Sequence, residues 1–222
     1  MAAPVFDGSF PHRWQAEVLS ARPLILPTRH FVYPAQAEEV ERGALEVLVR
    51  PDASGSPVKG TGFSPYISSP KTARASAPEG SSSEDLNVEP FLATCALGFR
   101  DPVVPTGLWS TPNPDEICAV SGGYAYIVDT TAPERFTMIP YRPVLEVRPV
   151  PAQGLLLFVG HHSMLAWGKN GQAWKSEKLT SEGLTIMSIE GGTLLGRGWD
   201  MMTDRETPFA LDLGTGLRLA QV

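Results

Sequence analysis

Short apolar segments separated by turn-forming residues fill the chain from Phe91 onwards, and this pattern restricts the fold more than any other feature. The segments are shorter than a typical helix of about 11–12 residues, and Gly, Pro, Asn or Asp stands between most of them. The whole chain contains 21 glycines and 21 prolines, which agrees with strands joined by tight turns. The sequence therefore predicts an all-β unit over residues 91–222.

Three stretches of this region are similar to one another. They are Glu116–Thr131, Gly154–Gly171 and Gly192–Gly216, the last with an insertion that extends to Pro208. Each predicts a strand, a turn, a second strand and a second turn, followed by a further strand. Asp129 and Gly168 are 39 residues apart, and Gly168 and Asp212 are 44 residues apart. Because a four-stranded propeller blade repeats every roughly 40–50 residues, we expect blade-like repeats of short antiparallel strands.

The motif Phe209-Ala-Leu-Asp-Leu-Gly-Thr-Gly resembles the quinoprotein-like and WD40-like β-propeller repeats at superfamily level, where Ala-Leu-Asp-x-x-Thr-Gly is the quinoprotein hallmark. Weaker copies start at Tyr126 and Leu165. The resemblance covers roughly residues 107–222 and implies a partial or small propeller-like architecture. Its tryptophans lack the regular spacing of the cofactor-binding members, so the cofactor remains unknown. Three copies are fewer than the usual four to eight blades, which leaves a remnant, an open fan or a barrel of the same hairpins as alternatives.

The first 51 residues predict a mixed N-terminal segment. Trp14–Leu19 suggests a turn or two of helix confined by Pro11 and Pro23. Residues 34–42 predict a short helix that begins at Pro34, and Ala44–Arg50 predicts a strand. Residues 52–90 are rich in Ser, Gly, Pro and Ala, which predicts a loop or linker.

Composition narrows the classes of partner. The net charge of −6 argues against nucleic acid, which requires a basic surface. The longest purely apolar run, Leu155–Val159, is far shorter than the roughly 20 residues that cross a bilayer. The first residues lack a cationic stretch followed by an apolar core, so we expect no signal peptide and a cytoplasmic protein.

Cys95 and Cys118 are expected to be small buried strand residues. A protein or small-molecule ligand and a homo-oligomer remain the expected partners.

Polar residues gather in the predicted turns of the second and third repeats. His161 and His162 lie in one turn, and Asp200 and Asp204 lie in the corresponding turn of the next repeat. If the repeats stack, the turns share a rim, where imidazole and carboxylate could bind a divalent metal or perform acid–base catalysis. Turns also carry polar residues simply because they face water. A Ser163-His162-Asp200 nucleophilic triad is weaker, because no nucleophile elbow is present.

Aromatic and arginine side chains at the same rim indicate a recognition surface. Trp199 lies between Arg197 and Arg205 in sequence, and tryptophan and arginine are enriched in binding hot spots. Packing between blades is the alternative for the tryptophans. Three hypotheses follow. The first is a non-catalytic binding or scaffold module, whose contact residues are His161, His162, Arg197, Trp199, Asp200 and Arg205. The second is a metal-assisted hydrolase that uses His161, His162, Asp200 and Asp204, and the third is a structural part of a larger assembly. The sequence does not decide whether the protein is an enzyme.

Overall fold

A computed structural model describes residues 4–35, 43–52, 63–64 and 89–220. Nearly all of its regular structure is β. The elements are β1 (Val5–Asp7), β2 (Trp14–Leu19), β3 (His30–Tyr33), β4 (Ala44–Pro51), β5 (Phe63–Ser64), β6 (Phe91–Ala96), β7 (Gly107–Ser110), β8 (Glu116–Ser121), β9 (Tyr124–Asp129), β10 (Phe136–Met138), β11 (Glu146–Val150), a 3-10 turn (Pro151–Gln153), β12 (Leu155–Val159), β13 (Met164–Gly168), β14 (Gly171–Lys175), β15 (Glu182–Glu190), β16 (Thr193–Asp200) and β17 (Arg205–Asp212). The predicted all-β fold class is confirmed.

The strands form four small sheets. The first sheet has the order β3-β6-β4-β2-β5, the second β1-β7-β8-β9-β10, the third β11-β12-β13-β14 and the fourth β15-β16-β17. Most neighbouring strands are antiparallel; the parallel pairs are β1 with β7, β2 with β5 and β3 with β6. Each of the four sheets ends in two edge strands, so none is closed on itself. The three similar stretches of sequence each supply the central hairpin or final hairpin of a different sheet.

The sheets pack in chain order through three apolar clusters. The first cluster joins the first and second sheets, the second joins the second and third, and the last joins the third and fourth. Successive residues of a strand point to opposite faces. In β12, Leu156 and Phe158 therefore belong to the cluster shared with the second sheet, whereas Leu155, Leu157 and Val159 belong to the one shared with the fourth. Within the described residues, none of these clusters joins the first sheet to the fourth.

Glycine pairs form the tight turns that make these hairpins possible. Gly122 and Gly123 connect β8 to β9 with φ of 55° and 75°, and Gly191 and Gly192 connect β15 to β16 with φ of 55° and 82°. Two consecutive residues with positive φ are typical of the two-residue turn whose twist matches that of the strands. The Gly191-Gly192 pair is thus a hairpin turn.

The N-terminal segment contributes strands where the sequence suggested helix. Trp14–Leu19 forms β2, and the helical prediction there was wrong. β2 pairs with β4, and the alternate residues Trp14 and Ala16 are buried. These tertiary contacts favour a strand over the predicted helix. Strand β4 confirms the predicted strand at Ala44–Arg50. Pro34 lies in a bend after β3, and the rest of the helix predicted over 34–42 falls almost entirely outside the described residues.

The third repeat differs from its prediction at two points. Strand β17 already begins at Arg205, so the insertion before Pro208 is a turn of four residues followed by paired strand. The strand expected after Gly216 is reduced to an isolated bridge between Leu211 and Arg218. The fourth sheet consequently has three strands, one fewer than the third.

The division of the chain at residues 51 and 91 remains a prediction. Strand pairing crosses both positions, because β6 pairs with β3 and β4, and β1 pairs with β7. Residues 53–62 and 65–88, where most of the linker was predicted, lie outside the described residues. Both cysteines, Cys95 and Cys118, are buried on strands with free thiols, as predicted. Among the described residues, no helix is long and apolar enough to cross a membrane.

Candidate functional site

The two turns expected to share a rim lie on either side of one connecting segment, residues 176–181. Leu179 N–H donates to the His162 carbonyl at 2.7 Å, and Ser181 N–H donates to the Trp199 carbonyl at 2.8 Å. The segment therefore tethers the β12–β13 turn to the end of β16. A cleft of about 490 Å³ opens beside it, with Lys178, Asp200 and Arg218 among its lining residues.

The predicted metal ligands do not gather into one group. The rings of His161 and His162 are 6.0 Å apart, but within the part of the chain that the structure describes no three His, Cys, Asp or Glu side chains could hold a metal ion together. Asp200 is engaged in its own turn, where it accepts hydrogen bonds from Met202 N–H at 3.0 Å and Thr203 Oγ1 at 2.9 Å. This role is typical of aspartate in turns.

Ser163 is bonded to a residue outside the suggested triad. Its Oγ lies 2.9 Å from the hydroxyl of Tyr141. The pKa of Tyr141 is raised by burial, and the hydrogen bond with Ser163 opposes that rise. The contact links the β12–β13 turn to the segment before β11, which gives Ser163 a structural partner.

Trp199 is more exposed to solvent than Trp109, Trp167 and Trp174. Trp109, Trp167 and Trp174 are buried between sheets, and two of them use their indole N–H inside the protein: Trp167 donates to Glu116 Oε2 at 2.9 Å and Trp174 to the Leu213 carbonyl at 2.7 Å. Trp199 is 38% exposed. Packing between sheets thus accounts for three of these tryptophans and leaves Trp199 for another role.

Trp199 lies on the outer face of the fourth sheet, which has no further sheet against it among the described residues. Along β16 the exposed residues Leu195, Arg197 and Trp199 alternate with the buried Leu194, Gly196 and Gly198. The cross-strand partners of the exposed three in β15 and β17 lie on the same face. We call this surface the end face; it consists of Thr185, Ser188, Leu195, Arg197, Trp199, Glu206 and Pro208, with Glu182 and Ala210 at its margins, and the exposed Met187 lies in the irregularity of β15 between Ile186 and Ser188.

The end face combines apolar and charged side chains. Leu195 is 45% exposed and Met187 is 56% exposed. Trp199 is paired with Glu182 on one side and Glu206 on the other, while Arg197 is paired with Thr185 and Pro208. Beyond the end of β16, Met201 and Met202 are also exposed, and Arg205 starts the return strand opposite Asp200. Of the predicted residues, Arg197 and Trp199 therefore share the end face. Arg205 is paired with Asp200, so its side chain lies on the opposite face of the sheet, and His161 and His162 lie in the β12–β13 turn of the third sheet.

A second polar group, on the first sheet, was not predicted from the sequence. Nε2 of His30 lies 2.9 Å from Thr94 Oγ1, and this hydroxyl donates to Glu46 Oε2 at 2.5 Å. Since the threonine proton is directed at the carboxylate, His30 must donate its Nε2–H to Thr94, and Nδ1 is left as the acceptor nitrogen of the ring. We call these residues the His30 chain. No local motif reveals it, because the three residues come from β3, β6 and β4.

Burial determines the chemistry of the His30 chain. Glu46 and Thr94 are buried, and His30 is half-buried beside a cleft. Burial and, second, the positive charge of Arg22 lower the pKa of His30, while Glu46 raises it by less. Burial and the charge of Arg22 thus favour the neutral form of His30. The arrangement holds an imidazole in one tautomer, which is the function that a carboxylate behind a histidine commonly performs.

Comparisons with known proteins show no relative of this chain. No protein-family model matches it, nor does any curated protein or solved structure.

Proposed function

We propose that the protein is a non-catalytic binding module and that the end face, together with the following turn at Met201 and Met202, contacts a protein partner. One observation carries the proposal: Trp199, Leu195 and Met187 are all exposed on the fourth sheet, and Leu195 and Trp199 lie on either side of Arg197 along one face of β16. A group of exposed apolar side chains on one face of a folded domain typically marks an interaction site.

The composition of the end face supports a protein partner over a small polar ligand. Tryptophan and arginine contribute most strongly to binding hot spots, and flexible methionine side chains adapt to the surface that they contact. Glu182 and Glu206 flank Trp199, so a partner with an apolar anchor surrounded by basic groups would match both features.

The alternative functions have less support. A metal-assisted hydrolase would require His161, His162, Asp200 and Asp204 to approach one another, and no observation favours this. A scaffold role is compatible with the proposal, because a partner on the end face would continue the series of sheets. The same proposal includes a relationship to propeller repeats, a homo-oligomer and a cytoplasmic location. The buried free thiols of Cys95 and Cys118 support the cytoplasmic location, because free thiols are common in reducing compartments.

A photo-crosslinking experiment tests the proposed surface. Benzoylphenylalanine at position 195 should crosslink a partner in cells, and the same group at exposed Val103, on the loop before β7, should not. The purified partner is then titrated against the wild type, the Trp199→Ala/Arg197→Ala variant and Val103→Ala as a control. We expect the double variant to remain folded and to lose at least about tenfold in affinity, as removal of a hot-spot residue does. Equal affinity for all three proteins would refute the proposal.

A further inference from the structure

A cleft of about 480 Å³ lies beside edge strand β3 of the first sheet. Edge strand β10 of the second sheet forms its other wall through Phe136. The rings of Tyr33 and Phe136 are 4.9 Å apart, and the Tyr33 hydroxyl donates to the Pro133 carbonyl at 2.7 Å. These contacts hold the two edges at a fixed separation, so the cleft is preformed.

Strand β3 presents to this cleft backbone groups that no strand of the described residues pairs. Leu92 N–H of β6 donates to the Arg29 carbonyl at 3.0 Å, and this bond fixes the register of the parallel pair. The backbone hydrogen-bonding groups of Phe31 and Tyr33 therefore point toward β6. The N–H and C=O groups of His30 and Val32 therefore point away from β6. None of the described residues forms a strand on that side. Such an edge is a template for a further strand.

The two ends of the cleft carry opposite charges. Arg22 lies at the His30 end, and its charge is the second cause, after burial, of the lowered pKa of His30. Glu134 lies at the Tyr33 end, where burial, then Cys95 and Glu134, raise the pKa of Tyr33. Within the described ranges neither Arg22 nor Glu134 forms an ion pair. The cleft can therefore distinguish the two directions of a charged chain.

We propose that this cleft binds a short extended peptide, which adds to β3 as an antiparallel strand with an acidic group at Arg22 and a basic group at Glu134. The backbone of His30 and Val32 supplies the pairing, as in other cases of strand addition. Four residues of β3 span about 13 Å, which suits a peptide of four or five residues. The His30 chain fixes the imidazole ring at the acidic end of the peptide. The proposal is independent of the end face.

Two labelled peptides with opposite charge order test the direction of binding. The probe is fluorescein-Lys-Val-Thr-Val-Glu-amide and its counterpart is fluorescein-Glu-Val-Thr-Val-Lys-amide, measured by fluorescence anisotropy at low salt. The wild type should prefer the first by about tenfold, which corresponds to about 1.4 kcal/mol. The Arg22→Glu/Glu134→Lys variant should prefer the second, because both contacts are reversed.

Backbone variants test strand pairing. Val32→Pro removes the N–H that faces the cleft and should weaken the first peptide at least about tenfold, while Val32→Ala keeps that N–H and should bind within about twofold of the wild type. If Val32→Pro does not fold, as checked by circular dichroism, a probe N-methylated at its central residue replaces it against the wild type. Binding that is absent, equal for both peptides, or insensitive to proline and N-methylation would overturn the proposal.

Discussion

The third and fourth sheets are built from similar stretches of sequence, yet only the third is covered on both faces. In β12 all five residues are buried, and they contribute to two different apolar clusters. In β16 burial alternates, with Leu194 inside and Leu195, Arg197 and Trp199 outside. The difference shows that one hairpin pattern serves as an interior layer or as an end layer depending on whether its second face is apolar. A continuous apolar run marks the first case, and alternation marks the second.

The largest expected effect comes from truncation of an interior residue. Phe158→Ala should lower the free energy of unfolding by about 3–5 kcal/mol, because it opens a cavity between the second and third sheets. Leu195→Ala on the end face should change it by about 0.5 kcal/mol or less. Urea unfolding of both variants measures the contrast. Similar losses would mean that the two sheets are equally covered.

Gly196 offers a second test, because it lies on the inner face of the same strand. A Cβ at this position would lie 2.2 Å from Cζ of Phe209, which is buried. Gly196→Ala should therefore destabilise the fold by about 2–3 kcal/mol through overpacking. Thr185→Ala, on the end face, serves as the control with little change. A tolerated Gly196→Ala would contradict the close packing of β16 against β17.

The His30 chain extends the comparison to the first sheet, where the polar residues Glu46 and Thr94 are buried on the outer face. Thr94→Val leaves the Glu46 carboxylate and His30 Nε2 without their shared partner, so it should cost about 1–2 kcal/mol. The same replacement at exposed Thr185 should be nearly neutral. Thermal unfolding of the two variants measures the difference, and equal melting temperatures would show that the hydroxyl stabilises nothing.

The smallest expected effect is a dependence on pH. Because the pKa of His30 is lowered in the folded protein, the unfolded chain binds a proton first as the pH falls through the ordinary value near 6.5. The contribution of His30 to stability is thus complete above that value and declines below it. His30→Gln keeps an N–H donor but does not titrate. The free energy of unfolding of the wild type, relative to that of this variant, should decrease from pH 7 to pH 5. A difference that does not change with pH would contradict the lowered pKa of His30.

Sequence periodicity predicted the all-β fold because its strands have local signals, such as the Gly191-Gly192 turn and the apolar run Leu155–Val159. The choice of Arg197, Trp199 and Arg205 as site residues remains a prediction. Periodicity failed for Trp14–Leu19, since pairing with β4 determines that strand. It also missed the His30 chain, because His30 and Thr94 are 64 residues apart and meet only through parallel pairing of β3 with β6.

Thiol labelling of the native protein tests most directly whether the end face is open. The natural thiols of Cys95 and Cys118 are buried, and burial raises the pKa of both, so both should react slowly. Leu195→Cys should add one thiol that reacts almost as fast as in the unfolded chain, whereas Leu157→Cys, in the cluster between the third and fourth sheets, should be protected. A protected Cys at position 195 in the isolated monomer would contradict an exposed end face, and with it the proposed binding surface.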